Sequence, residues 1–116
     1  MMSARSNKAK GRNFQQEVRD FILEHFPDLE ADDVRSNPMG APGEDILLSP
    51  AARKALGGIQ IECKKSKQIA LMRWYEQAKE HGTHTPTVWC KEDGRGKPML
   101  VTIPADWFIK LLKREG

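Results

Sequence analysis

The strongest constraint on the fold is a run of strict alternation between apolar and polar residues at Ile59–Lys64, which reads Ile-Gln-Ile-Glu-Cys-Lys. Successive side chains of a β-strand leave opposite faces, so this run predicts a strand with one apolar and one polar face. The polar face carries Gln60, Glu62 and Lys64. The chain must therefore build a β-sheet around this strand and pack an apolar layer against its other face.

Three segments have the apolar spacing of amphipathic helices. The first follows a candidate N-cap at Asn13 and continues to about Phe26, just before a proline. The second covers residues 68–81, and the third is a short helix after Pro104. The inward side chains of the second helix are expected to be Ile69, Leu71 or Met72, Tyr75 and Ala78.

Short apolar runs between turn residues predict several strands, together with a single helical turn at 50–56. The strands are expected near Val34 and at 46–48, 59–64, 87–90 and 99–103. This order of helices and strands predicts an α/β domain, with a central mixed sheet of about five strands flanked by helices. A chain of 116 residues has room for one such domain and its core.

The net charge of +3 conceals three blocks of different sign. Residues 1–12 carry four basic side chains and no acidic one, residues 13–45 have a net charge of −7, and residues 46–116 have a net charge of +6. We interpret 1–12 as a flexible basic arm and 13–116 as the folded domain. A basic arm and a basic second half fit a polyanionic partner such as nucleic acid, and a solubilising disordered arm stays open as the alternative.

The distribution of apolar residues and cysteines excludes other classes of protein. The longest uninterrupted apolar run is Ile69–Met72, whereas a membrane span needs about 20 residues. No apolar stretch follows the charged N-terminus, so we expect no secretory signal. Two cysteines, Cys63 and Cys90, do not indicate a disulfide scaffold, and we expect a reducing, cytoplasmic location.

A zinc site is the one alternative metal centre whose residue types occur near each other, at His81, His84 and Cys90. This set lacks a fourth ligand at a suitable spacing, so we do not favour it. We expect the histidines at a helix end, where such side chains are favoured, and the cysteines as small buried residues on adjacent strands.

Three chemically complementary side chains converge if the strands at 46–48 and 59–64 are neighbours. Glu62 and Lys64 share a strand face, and Asp45 opens the preceding strand after a glycine-rich loop. Two nearby carboxylates repel each other, and a hard divalent cation relieves that repulsion. Mg²⁺ keeps waters and phosphate oxygens in its coordination shell, as phosphodiester hydrolysis requires, and a lysine beside it orients water. The alternative is a solvent-facing strand edge with a surface ion pair.

The segments Gly43–Leu47 and Ile59–Lys64 resemble the PD-(D/E)XK nuclease superfamily. The resemblance implies the restriction-endonuclease-like fold, with Mg²⁺ as cofactor and Mn²⁺ as a substitute. It also implies that Asp45, Glu62 and the backbone carbonyl of Cys63 bind the metal, and that the lysine of the second segment activates water.

The resemblance extends to other positions, with one departure. The chain has Pro-Gly-Glu-Asp where the family has Pro-Asp; Asp45 is the expected ligand because an apolar strand follows it directly, and Glu44 is the alternative. Many members carry a glutamate on the first helix, which implies Glu17 as a ligand of a second metal ion. Many also carry a glutamine on the helix after the lysine strand, which implies Gln77, with Gln68 as the alternative. Ordinary surface positions stay open for these helix residues.

A narrower resemblance is to the small archaeal and phage-encoded Holliday-junction resolvases. It rests on Lys8–Arg12, Asp33–Asp45, Leu48–Arg53, Ile61–Lys64 and Glu76–Ala78. It implies a homodimer that nicks two strands of a four-way DNA junction symmetrically, and a catalytic serine in the loop before the aspartate, here Ser36. The basic side chains expected to contact DNA are Arg5, Lys8, Lys10, Arg12, Arg35, Lys65, Lys67 and Arg73.

The sequence thus predicts an Mg²⁺-dependent endonuclease that acts on branched double-stranded DNA, most closely a Holliday-junction resolvase. Its expected catalytic residues are Asp45, Glu62, Lys64, Glu17, Ser36 and Gln77. Two other functions stay open. One is a nuclease of the same superfamily that acts on flaps, ends or plain duplex, and the other is a DNA-binding module on the same fold without catalytic activity.

Overall fold

The computed structural model describes residues 4–115 of the chain and the side chains of residues 7–114. This part of the chain forms four α-helices, five strands and a 3₁₀ turn at Ala31–Asp33. The helices are α1 (Ala4–His25), α2 (Pro50–Ala55), α3 (Leu71–Glu80) and α4 (Ala105–Glu115). The strands are β1 (Val34–Ser36), β2 (Ile46–Leu48), β3 (Ile59–Ser66), β4 (Thr85–Glu92) and β5 (Leu100–Thr102). The prediction of an α/β domain is confirmed.

The strands form two sheets, which corrects the expectation of one central sheet. β1 pairs with β2 in an antiparallel sheet, and β3, β4 and β5 form a second sheet in which β3 and β4 are parallel. β4 and β5 are antiparallel, and α3 is the crossover helix between the parallel strands. The two sheets meet where the Asp45 N–H donates to the Ile61 carbonyl at 3.0 Å. The contact is this narrow because β2 is three residues long and forms its ladder with β1.

The first helix begins at Ala4, which corrects the expected start at Asn13. Residues 4–12 therefore extend α1 by more than two turns, and only residues 1–3 of the expected arm lie outside the described residues. Alanine, lysine and arginine in this segment are good helix formers. Lys10 also finds a partner far along the chain, because its Nζ lies 3.0 Å from Oδ2 of Asp93. No helix within residues 4–115 has both the length and the apolar character that a bilayer crossing requires.

One core joins α1 to both sheets. Phe14, Val18 and Ile22, on one face of α1, are at most 2% exposed, as the apolar spacing predicts. They pack against one cluster of side chains from β1, β2, α2, β3 and β4: Val34, Ile46, Ala52, Ile59, Ile61 and Trp89. Because Val34 and Ile46 belong to the first sheet, the two sheets share this core although their backbones barely touch.

A second cluster covers the other face of β3 and β4. Trp74 and Ala78 of α3 pack there against Val88 and Cys90 of β4. Ile69, which was expected inside, is instead 51% exposed, and of the two alternatives Leu71 is half-buried whereas Met72 is 70% exposed. Ile69 lies before the helix begins, and a helix that turns Trp74 and Ala78 inward must turn Met72 outward.

The cysteines lie on adjacent strands, as expected, but on opposite faces of the sheet. Lys64, not Cys63, is the register partner of Cys90. Cys90 belongs to the cluster under α3, whereas Cys63 packs against the α1 core and is partly buried. Both cysteines are free thiols. Register partners on neighbouring strands share a face of the sheet, and Cys63 is one residue away from the partner of Cys90, so the two thiols lie on opposite faces.

Both faces of β3 are covered by other elements, so polar side chains of this strand are buried inside the protein, which the alternating pattern does not predict. Gln60 is 1% exposed and Glu62 is 3% exposed. The Gln60 amide donates to the Ala78 carbonyl at 2.6 Å, and its oxygen accepts from the His84 N–H at 3.1 Å. These bonds fix the segment that joins α3 to β4, which begins with His81 at the end of the helix.

Candidate active site

Asp45 stands at the junction between the two sheets, at the end of a loop held by a buried side chain. The amide of Asn37 donates to the carbonyls of Pro42 and Glu44 at 3.1 and 2.9 Å, so the loop has a fixed path. The Asp45 carboxylate then reaches β3, where its Oδ2 accepts from the Cys63 N–H at 2.8 Å. The N–H and C=O of one strand residue leave on the same edge, so the Cys63 carbonyl faces the edge that Asp45 approaches.

Glu62 is a buried carboxylate with a nitrogen beside each oxygen. Nζ of Lys64 lies 3.4 Å from Oε2, and Nδ1 of His81 lies 3.2 Å from Oε1. The Lys64 side chain is 30% exposed and that of Glu62 is 4% exposed. The Lys64 ammonium group therefore lies between the buried Glu62 carboxylate and the solvent. The structure brings Asp45, Glu62 and Lys64 together, as the sequence predicts.

The pKa values of both carboxyls are raised above their ordinary range. Burial is the main cause for Asp45, opposed by its bond from Cys63 and by the charge of Lys64. Burial is also the main cause of the raised pKa of Glu62, and the negative charge of Asp45 adds to it. The same surroundings raise the pKa of the Cys63 thiol well above its usual value. Burial therefore disfavours the charged form of both carboxyls, and a cation placed between them would favour it.

The donor set fits a magnesium ion. Asp45 and Glu62 supply carboxylate oxygens and Cys63 a backbone carbonyl, which are the hard ligands that Mg²⁺ takes. Within residues 7–114 no group of three or more His, Cys, Asp or Glu side chains has the arrangement of a metal site. Two carboxylates and a carbonyl are nevertheless a normal protein share for Mg²⁺, which fills its other positions with water and phosphate.

Glu44, the alternative to Asp45, serves a different purpose. Its carboxylate lies 2.9 Å from Nη1 of Arg53, and the same nitrogen donates to the Ile59 carbonyl at 2.7 Å. Glu44 is 9% exposed, so this pair fastens the loop to α2 and to the start of β3. The geometry favours Asp45 as the ligand.

Glu17 does not join the site, contrary to the expectation of a helix glutamate beside a second metal ion. Its Oε2 lies 2.8 Å from Nζ of Lys91 on β4, and its carboxylate is 41% exposed. The helix residue beside Asp45 is instead Gln15, whose amide donates to the Asp45 carbonyl at 2.9 Å. Ser36 contacts this glutamine, with its hydroxyl 3.5 Å from Oε1 of Gln15, and so reaches the site through it.

The two expected glutamines of the second helix have different surroundings. Gln77 is half-buried, and its Oε1 has no hydrogen-bond partner among the described residues. It lies one helical turn before His81, and residues four apart share a helix face. Gln68 is exposed before α3 begins, where its N–H donates to the Ser66 hydroxyl. Gln77 is thus the better placed of the two.

A cleft of about 440 Å³ opens beside Asp45, between the first half of α1 and the end of β3. Three lysines line it: Lys10, Lys64 and Lys65. Gln15 and Ser66 add polar groups to its walls. The cleft is therefore a basic opening beside the Asp45 carboxylate, although Lys10 is also paired with Asp93.

The remaining basic residues predicted to contact DNA are distributed over the surface. The side chains of Lys8, Arg12, Arg35, Lys67 and Arg73 are exposed. The side chain of Arg5 lies outside the described residues. Exposure makes these side chains available to phosphates, and their contact with DNA stays a prediction.

The structure does not assemble the zinc set. His81 faces Glu62, His84 lines a groove with Arg53, and Cys90 is buried under α3. His81 is a site residue that the sequence interpretation missed. The available signal was its place four residues after Gln77, on the same helix face.

The chain matches no protein-family model, and no curated protein or solved structure matches it at a significant level.

Proposed function

We propose that this chain is a metal-dependent DNA endonuclease with a restriction-endonuclease-like fold. The observation that carries the proposal is the convergence of Asp45, Glu62 and Lys64, two of which, Asp45 and Lys64, line a basic cleft, with both carboxyl pKa values raised. Two neighbouring carboxylates beside a lysine, with an opening lined by further lysines, suit a divalent cation and a phosphodiester.

The order of the strands supports the fold assignment. An antiparallel pair, β1 and β2, leads into a parallel pair, β3 and β4, with a crossover helix between them. The acid that ends the loop and the Glu-x-Lys strand meet at the junction of the two sheets, through Asp45 and Ile61. The order of helices and strands agrees with the order that the resemblance implies, whereas the division into two sheets departs from its single central sheet.

The protein groups have separate roles in phosphodiester hydrolysis. Asp45, Glu62 and the Cys63 carbonyl would hold Mg²⁺, which supplies a charge for the phosphate oxygen and lowers the pKa of bound water. Lys64 places its ammonium group at the mouth of the site, where it orients the attacking water and offsets charge that develops on the phosphate. Attack on phosphorus breaks the P–O3′ bond, which leaves a 5′-phosphate and a 3′-hydroxyl.

We propose branched DNA as the substrate and a homodimer as the active form, because the narrower resemblance to junction resolvases implies both. The cellular location that goes with this substrate is the cytoplasm of a bacterium or of an infected host cell. The domain formed by residues 4–115 offers little surface of its own for reading bases, which favours recognition of DNA shape by this domain.

The decisive experiment compares cleavage of four-way junctions, flaps and plain duplex in Mg²⁺ by the unaltered chain and by three variants. Asp45→Asn, Glu62→Gln and Lys64→Ala are each expected to cut at least about 100-fold more slowly, while junction binding persists. Glu17→Gln is the matched control, because this acid is paired with Lys91 outside the cleft, and it should cut within a few-fold of the unaltered rate.

The outcomes separate the alternatives. Normal cleavage by all three variants would show that the site is wrong. Equal rates on the three DNA forms would remove the preference for junctions and keep the nuclease. Salt-dependent DNA binding without cleavage or metal binding would identify a non-catalytic DNA-binding module.

A further inference from the structure

The Glu62 carboxylate is held from two directions, and only one of them is local. Lys64 approaches Oε2 from the same strand, two residues away. His81 approaches Oε1 from the end of α3, 19 residues away, with its Nδ1 at 3.2 Å. Glu62 is 3% exposed, and among the described residues Lys64 and His81 are the nitrogen partners of its carboxylate.

The position of His81 is itself fixed. Its backbone N–H donates to the Ala78 carbonyl at 3.4 Å as α3 ends. Gln60 then holds the following segment by bonding both Ala78 and the His84 N–H. A histidine on a free loop would restrain nothing, whereas this one is anchored on both sides.

A carboxylate such as Glu62 needs this restraint. Glutamate has several rotatable side-chain bonds, and the negative charge of Asp45 repels its carboxylate. Unrestrained, the group would turn away from Asp45 and lose the geometry of a shared ligand pair. A ring N–H that donates to Oε1 opposes that rotation, as partners of metal-ligating carboxylates do in general.

We propose that His81 is a positioning residue, which holds Glu62 through Nδ1 so that the carboxylate and Asp45 bind one divalent cation. This role rests on the proposed function, because it assumes that the two carboxylates share a metal ion. His81 lies outside the nuclease motif. It directly follows α3, the helix that covers the face of β3 on which Glu62 lies.

The test measures Mn²⁺ binding to the full chain by calorimetry, with no DNA present. His81→Ala should weaken the Mn²⁺ dissociation constant by about 10-fold or more. His81→Asn should restore most of the affinity, because the asparagine amide nitrogen occupies the place of Nδ1. His84→Ala is the matched control: its backbone, not its ring, contacts Gln60, and its affinity should be unchanged.

Cleavage kinetics give a second readout. At saturating Mg²⁺, His81→Ala should lower kcat and leave the KM for DNA unchanged, since His81 contacts Glu62 and not the cleft. Thermal melting of each variant shows that it is folded.

The possible failures are distinguishable. An unaltered chain that binds no Mn²⁺ overturns the proposed function, and this role with it. If the unaltered chain binds Mn²⁺ and His81→Ala binds it equally well, the role of His81 is wrong and the proposed function is not affected. Equal losses in His81→Ala and His81→Asn would also contradict it, because the donor at Nδ1 would then not matter.

Discussion

Asp45 and Glu62 place two acidic groups in a setting that disfavours their charge, as their raised pKa values show. The sign of the effect on stability follows directly. Between about pH 4, where ordinary carboxyls ionise, and the raised pKa values, the folded chain keeps protons that the unfolded chain has released. In the metal-free protein, this pair therefore favours folding at low pH, and that contribution is lost as pH rises through the window.

Asp45→Asn should consequently be more stable than the unaltered chain at neutral pH when no metal is present. The asparagine oxygen still accepts from the Cys63 N–H, and one buried charge is gone. We expect a gain of about 1 kcal/mol in the free energy of unfolding, measured by urea denaturation in EDTA. The gain should shrink as the pH is lowered toward about 4, where both carboxyls are protonated. A variant that is less stable at pH 7 would contradict the raised pKa of Asp45.

Single residues also show the limits of prediction from sequence. The common face of Glu62 and Lys64 was predictable because strand alternation fixes the face of each side chain, whereas the place of Asp45 beside them depended on its strand being a neighbour. Glu17 was misplaced because a helix face depends on the partner it meets. The face that meets the cleft carries Asn7, Gly11 and Gln15 at intervals of four, and part of it lies in the segment interpreted as an arm.

At the scale of elements, the connection from α3 to β4 depends on close packing at Gly82. A Cβ atom added there would overlap the Gln60 oxygen, which is fixed by its bond from His84. Gly82→Ala should therefore push Gln60 aside and shift His81. We expect a loss of about 1 to 3 kcal/mol in stability and weaker Mn²⁺ binding, measured by urea denaturation and calorimetry.

Thr83→Ala is the matched control for this prediction, because Thr83 is exposed in the same connection. It should change neither quantity by more than about 0.5 kcal/mol. Unchanged metal binding in Gly82→Ala would show that the connection does not position His81.

The positions of the elements were predictable to within a few residues, apart from the start of α1. Local propensity and apolar spacing set the strands and the ends of most helices. The ion pairs of Lys10 with Asp93 and of Glu17 with Lys91 join residues 83 and 74 positions apart, so no local sequence pattern predicts them. The division into two sheets also depends on tertiary structure, because it is set by the number of backbone hydrogen bonds that β2 forms with β3.

At the scale of the whole molecule, five of the exposed large apolar side chains belong to the last two elements of the chain, β5 and α4. They are Leu100 and Val101 on β5, and Phe108, Ile109 and Leu112 on α4. β5 is an edge strand whose ladder partner is β4. Exposed apolar side chains and an unpaired strand edge favour binding to another protein surface. In the proposed homodimer, that surface would be the second copy of the chain.

Leu112→Glu should therefore shift the chain from dimer to monomer in sedimentation equilibrium. Leu112 is 52% exposed, so the substitution leaves the core intact. Met72→Glu is the control, because Met72 is 70% exposed on α3 and lies outside this surface. A monomeric unaltered chain, or a Leu112→Glu variant that stays dimeric, would contradict the assignment.

Within residues 4–115, one backbone hydrogen bond joins the two sheets, and it affects how long the site keeps its geometry. The Asp45 amide hydrogen is bonded to Ile61, which is 1% exposed, and the next residue, Ile46, is fully buried in the shared core. Such an amide exchanges with solvent deuterium only when the core opens. The residue that begins the candidate site should then be protected as long as the centre of the molecule, so that the proposed substrate would meet a site whose backbone is already in place.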